Sequence, residues 1–208
     1  MDMQDMSLRD FSALTASSAP APGGGSISAM AAAFSASLVG MVAKLTQGKK
    51  GYEAQQSRMA KIDRLAEALH LDLLDDIQRD SSSFDGYMAA LKLPKDTEEQ
   101  QAVRTAAMQQ ALKEACGVPL KVAGKAMEAL RLAREVVETG NLNASSDGMV
   151  AVLMGRTGVL GAVHNVRINL GGIRDQAFVQ EMEDACRMLQ QQADALEAEA
   201  DTALAARR

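Results

Sequence analysis

Tryptophan is absent from these 208 residues, and there are only two tyrosines and four phenylalanines. A sheet-based fold draws on aromatic and β-branched side chains, so their scarcity argues against one. Cysteine occurs twice, at Cys116 and Cys186, with no C-x-x-C pair. That spacing offers neither a disulfide framework nor a zinc site, and it suits a reducing cytoplasm. The two histidines, His70 and His164, share no metal-ligand spacing. Basic charge is also in short supply. The net charge is -5, which excludes the broad basic face of a nucleic-acid-binding domain while leaving room for a local basic pocket. What is abundant is Ala, Met, Leu, Glu and Gln, all good helix formers. The expectation is an all-α fold in one domain over 1–208.

No charged residue occurs between Phe11 and Ala43, so a membrane span has to be weighed. The stretch holds prolines, three consecutive glycines and many serines, and its apolar part is only weakly hydrophobic. The preceding ten residues carry three Asp and one Arg, the wrong flank for a signal peptide. The reading is a buried helix over 26–45 of a cytoplasmic protein, with no membrane partner.

Ser7, followed three residues later by Asp10, caps a short helix to about 17. After the loop APAPGGG, a thin helix rich in Ala, Ser and Gly is expected over 26–47, with Gly48 as its stop. One long helix is expected over 58–91, with the stripe Ile62, Leu65, Leu69, Leu73, Ile77, Phe84, Tyr87 and Leu91. Thr97-Glu98-Glu99-Gln100 is a capping box for a helix to about 115. Further helices are expected over 119–138 and 148–170. Asp175 caps a last one to about 205, with a heptad-like stripe of Phe178, Met182, Ala185, Leu189, Leu196 and Ala203.

The long stripe has one gap. Asp80 lies three residues after Ile77 and four before Phe84, so it points with the apolar face. Asp72, Asp75 and Asp76 fall to the side and are expected to be solvated. A carboxyl group on an apolar face is desolvated, which raises its pKa toward the range useful for proton transfer. An ion pair with a Lys or Arg from another helix is the equal alternative. Ser81, Ser82 and Ser83 have no histidine near in sequence to activate them and read as hydrogen-bonding residues.

Lys44, Lys49 and Lys50 cluster at a helix C-terminus, where cations are favourable in any case. Asn141, Asn143, Ser145, Ser146 and Asp147 supply turn chemistry. Asn165 and Asn169, four apart in an apolar context, present two amides that need partners. The glycines Gly23, Gly24 and Gly25 run directly into the helix at Ser26, which reads as its cap. Such a turn brings backbone close to a ligand.

The stretches APAPGGGSISAM, MVAKLTQGKKGYE, RDSSSFDGYMAALKLPKDTEEQ, GVPLK, GNLNASSDGMVA and GAVHNVRINLGGIRDQAF occur in this order. Together they resemble the cyclodeaminase domain of formiminotransferase-cyclodeaminase, whose stand-alone bacterial members include methenyltetrahydrofolate cyclohydrolases. The resemblance implies a multihelical bundle that forms a homodimer through a long helical hairpin. It implies a tetrahydrofolate derivative, with one or more glutamates, as substrate and no metal or other cofactor. The family's catalytic aspartate matches Asp80. The glycine loop with Ser26, the Asn143–Asp147 turn and the segment holding Asn165 and Asn169 match pocket-lining regions. Asn165, Asn169 and Asp147 are candidates for the pterin, and Lys49 and Lys50 for the glutamate tail. His164 stands where an aromatic residue is common and is expected to be a packed core histidine. The chain has no room for a formiminotransferase domain as well. The competing class is a non-catalytic helical interaction module, suited by the heptad-like last helix.

Overall fold

The computed structural model describes residues 2–83 and 85–207. Phe84, which the sequence places on the long stripe, lies outside them. Among the described residues there are eight α-helices and no strand, the all-α expectation. α1 (Leu8–Thr15) starts at Ser7, whose hydroxyl accepts from the Asp10 N–H. α2 (Gly24–Thr46) is the apolar axis of the molecule, and Gly48, with φ 71°, follows its end. The predicted single helix over 58–91 is in fact two, α3 (Gln56–Ser82) and α4 (Asp85–Leu91). Three consecutive serines stand at the end of α3. The hydroxyls of Ser81 and Ser82 donate to the Gln78 carbonyl and that of Ser83 to the Asp80 carbonyl, offering the backbone a local alternative to further helix.

α5 (Glu98–Ala115) has Thr97 as its cap. α6 (Gly117–Thr139) takes Pro119 in its first turn, where a missing N–H costs nothing. A short 3-10 turn, Leu142–Ala144, leads into α7 (Ser145–Leu170). α8 (Gln176–Ala205) begins at Asp175, whose carboxylate accepts from the Phe178 N–H. Phe178, Met182, Leu189 and Leu196 of the expected α8 stripe pack half-buried against the core, and the fully buried positions beside them are Cys186, Ala193, Ala200 and Leu204. Leu65, expected on the buried stripe of α3, is exposed.

The core centres on α2, packed between α3 and α7 with α6 across both. Its buried positions are almost all small, with Ala29, Ala32, Ala33, Ala36 and Ala43 essentially inaccessible. α7 answers with glycines. A Cβ on Gly158 would stand 2.9 Å from the Ala32 Cβ and 3.1 Å from the Ser28 carbonyl oxygen, and one on Gly155 would stand 2.9 Å from the Ser35 hydroxyl. The two helices therefore approach more closely than larger side chains allow. Ser35, fully buried, satisfies its hydroxyl on the Ala151 carbonyl at 2.7 Å.

Two helical segments, Gly24–Thr46 and Leu142–Leu170, are long and apolar enough to cross a membrane by length and composition alone, and two thirds of the first is buried within the fold. Gly158→Ala forces a methyl group into this contact and is expected to destabilise the protein by about 1–3 kcal/mol, read as a lower urea midpoint with unchanged slope.

Candidate active site

Asp80 lies in the last turn of α3, directly over the first turn of α2. That turn has no side-chain cap, since Gly23 stands at the N-cap position. The Asp80 carboxylate takes the place of a cap. Its Oδ2 lies 2.9 Å from the Ser26 hydroxyl, which also lies 3.2 Å from the Ile77 carbonyl oxygen. The Ser26 backbone N–H also donates to Asp80. Ser26 is thus a fully buried third residue of the helix and not its cap. Gly25 has to be glycine here. A Cβ there would fall 2.0 Å from Oδ1 of Asp80.

Burial pushes the Asp80 carboxyl above the usual carboxylate range. The Ser26 hydroxyl and N–H oppose this, and the charge of Asp76 one turn away adds to it. No basic side chain pairs with Asp80 among the described residues. The ion-paired alternative is realised by Asp76 instead. Asp76 is only 3% exposed, against the expectation of a solvated residue. Its oxygens lie 2.6 Å from Lys125 Nζ and 2.8 Å from Arg79, and both cations also reach Asp72. A step of four residues turns a helix only about 40° past a full revolution, so Asp72, Asp76 and Asp80 share one side of α3.

The carboxyl opens into a cavity of about 490 Å³. Gly23, Gly24 and Gly25 form one wall, and Asn165 and Asn169 from the last turns of α7 form another. Asn165 donates to the Gly161 carbonyl at 2.8 Å and Asn169 to that of Ala115 at 3.0 Å. Neither amide oxygen has a protein partner among the described residues, so both are free to accept. The sequence reading missed Asp85, Met88 and Pro119, which complete the walls. The position of Asp85, five residues after Asp80, and of Pro119 in GVPLK were the available signals.

Four predicted residues are elsewhere. Lys49 donates to Asn141 Oδ1 at 2.8 Å, and Asn141 in turn accepts from the Asn143 N–H. Lys50, Asn143 and Asp147 belong to the same corner, near the C-terminus of α2 and the N-terminus of α7. α2 alone is about 34 Å long at 1.5 Å per residue, so one chain does not bring this corner to Asp80. His164 is exposed on α7 and is not a core residue. A second cavity of about 490 Å³ lies along α3 and α6, beside an Arg58–Glu135 ion pair, and no candidate residue lines it.

The family model for formiminotransferase-cyclodeaminase matches residues 7–188. The chain belongs to the formiminotransferase-cyclodeaminase family. It is 43% identical to a methenyltetrahydrofolate cyclohydrolase of Methylorubrum extorquens over 166 residues, 80% of each chain. It is 35% identical over 189 residues to the formimidoyltransferase-cyclodeaminase of Rattus norvegicus, spanning 91% of this chain but 35% of that protein. The crystal structure of a formiminotetrahydrofolate cyclodeaminase from Thermotoga maritima covers 99% of this chain and 98% of its own, with TM-score 0.86 and 29% identity.

Within the family's fold, the raised pKa of Asp80 has a consequence for stability. Above the carboxyl's unfolded pKa, near 4, the folded state bears a cost for ionising Asp80. The cost grows until pH passes the raised folded value and is absent where both states are protonated. Asp80→Asn is therefore expected to melt at or above the wild-type temperature at pH 7, the difference narrowing toward pH 4. Gly25→Ala, which displaces the carboxylate, is expected to reduce turnover at least about tenfold with helical circular dichroism retained.

Proposed function

We propose that this protein is a folate one-carbon enzyme acting at the 5,10-methenyl bridge of tetrahydrofolate, and that its reaction is the formimidoyltetrahydrofolate cyclodeaminase reaction. The observation that carries the reading is Asp80, a half-buried carboxyl group without a basic partner, held in a cavity beside free amide acceptors.

The chemistry needs such a group. N10 of 5-formimino-tetrahydrofolate attacks the formimino carbon, forming the N10–C bond while the C=N bond becomes a C–N single bond. N10 loses its proton, and the former imino nitrogen gains two, one of them equivalent to that from N10 and one from solvent. Ammonia then leaves and the 5,10-methenyl cation closes. A carboxyl of elevated pKa accepts the first proton and returns it to the departing nitrogen. The folate contributes its own reactive carbon, and the reading asks for no metal or further cofactor. Asn165 and Asn169 suit the donor groups of the pterin, while Gly24 and Gly25 let it approach the α2 backbone.

A second reading is the methenyltetrahydrofolate cyclohydrolase reaction, in which water adds to the same carbon and the ring opens to 10-formyl-tetrahydrofolate. The similarity to the Methylorubrum extorquens cyclohydrolase across 80% of both chains supports it. Asp80 would then take a proton from the water. In either reaction we place the protein in the cytoplasm as a homodimer.

The methenyl absorbance band separates the two. The cyclodeaminase makes it appear from formimino-tetrahydrofolate with release of ammonia, and the cyclohydrolase makes it disappear from methenyl-tetrahydrofolate. Neither change with the purified protein would leave the non-catalytic helical module as the better reading. Asp80→Asn is expected to retain folate binding by calorimetry and to lose about 10²–10⁴ in turnover. Near-normal turnover would remove Asp80 from the chemistry.

A further inference from the structure

The side chains around Asp80 form an electronegative lining. Among the described residues that line the cavity none is basic, and two, Asp80 and Asp85, are acidic. Asn165 and Asn169 already donate to backbone carbonyls and keep their oxygens free. Ser81 and Ser83 also line the cavity, but their hydroxyls donate to the Gln78 and Asp80 carbonyls, so those hydrogens are spent within α3. The nearby cations Lys125 and Arg79 are committed to Asp72 and Asp76, two cations against two carboxylates, and add no net charge. Low-dielectric walls concentrate such a field within a cleft. An anion is repelled here, and a cationic or donor-rich group is drawn in.

The folate chemistry proposed above supplies such a group. The 5,10-methenyl bridge is an amidinium, N5–C–N10, with its positive charge shared over both nitrogens. The formimino group becomes a cation of the same kind once it has taken its solvent proton. The 10-formyl and unsubstituted forms carry no charge at this position. Bringing a cation out of water is costly without an opposite charge beside it. Asp80 cannot be that charge throughout, since it is neutral for as long as it holds a proton in transit. Asp85 takes no part in that transfer. It stands five residues after Asp80, at the first position of α4 (Asp85–Leu91), across the break that ends α3. Its side chain lines the same cavity, is exposed, and has no hydrogen bond or ion pair among the described residues.

We infer that Asp85 is the counter-ion of the one-carbon unit, and that it gives the cavity a preference for tetrahydrofolate derivatives whose one-carbon unit is cationic over those in which it is neutral. The inference rests on the folate reading and assigns a role within that site separate from proton transfer. Asp80 moves the proton, while the Asp85 carboxylate stays beside the bridge. The positive charge on the one-carbon unit is thus compensated whichever state Asp80 is in, by a group already in place before the reaction. The arrangement serves either reaction, because the cyclodeaminase ends at the methenyl cation and the cyclohydrolase begins there. In the hydrolytic case it also favours departure of the neutral formyl product.

Paired titrations test this. 5,10-Methenyl-tetrahydrofolate and 5-formyl-tetrahydrofolate share the pterin, the tail and the oxidation level of the added carbon, and differ in the charge of the one-carbon unit. Their Kd values are measured by calorimetry in mildly acidic buffer, where the methenyl bridge persists. Asp80→Asn serves as the background, so that the methenyl form is not turned over, and it is expected to bind that form the more tightly. Adding Asp85→Asn is expected to cut the preference about three- to tenfold while changing the 5-formyl Kd less than about twofold. Asp85→Glu, which returns the charge, is expected to restore most of the preference. The ratio of the two Kd values cancels any change in the folded fraction. An unchanged ratio, or equal weakening of both ligands by Asp85→Asn, would overturn the counter-ion role. Binding of neither ligand to the wild type would refute the folate reading and, with it, this one.

Discussion

The close approach of α2 to α7 is the constraint on which the remaining architecture depends. Alanine and serine on one helix meet glycine on the other, with Ser35 and Ser28 facing Gly155, Gly158 and Gly161. A thin interface of this kind tolerates almost no added volume, because protein interiors are already close-packed. It also leaves little freedom in the relative position of the two helices along their length. The first turn of α2 is therefore fixed against the last turns of α7, which carry Asn165 and Asn169. α3, packed on the opposite flank of α2, is held by the same helix. The cavity is the place where three helix ends, positioned by one small-residue core, fail to meet.

The acidic side of α3 divides its labour by depth. Asp76 is the buried member, and it is neutralised by two cations, one of them from α6. A buried carboxylate without such partners would be severely destabilising. Asp80, one turn further and half-exposed to the cavity, has only a hydroxyl and an amide N–H as partners. The two residues have the same chemical identity on neighbouring turns. Their different surroundings pair one with two cations and leave the other facing the cavity without a basic partner.

Most of the helical layout was legible in the sequence, because caps, glycine stops and good helix formers act locally. Ser7, Thr97 and Asp175 all cap as their spacing implies. The break after α3 was not legible as periodicity, since apolar spacing carries across it. Asp80 stood out because it interrupts a stripe. Asp76 did not, because the partner that allows its burial, Lys125, is 49 positions away in sequence. The grouping of Lys49 and Lys50 with Asp80 followed family-like stretches rather than distance. The length of α2, itself readable from the sequence, is what separates them.

The Ser26 hydroxyl has one hydrogen and two acceptors within reach, Oδ2 of Asp80 and the carbonyl of Ile77. With the carboxylate ionised, the hydrogen points to Asp80. With the acid protonated, a rotation about the C–O bond turns it to Ile77, and the serine oxygen can then accept from the acid. Either state of the acid is solvated by the protein without displacement of a heavy atom. A proton can thus enter or leave the cavity with little reorganisation of its surroundings, a form of preorganisation that bulk water does not provide.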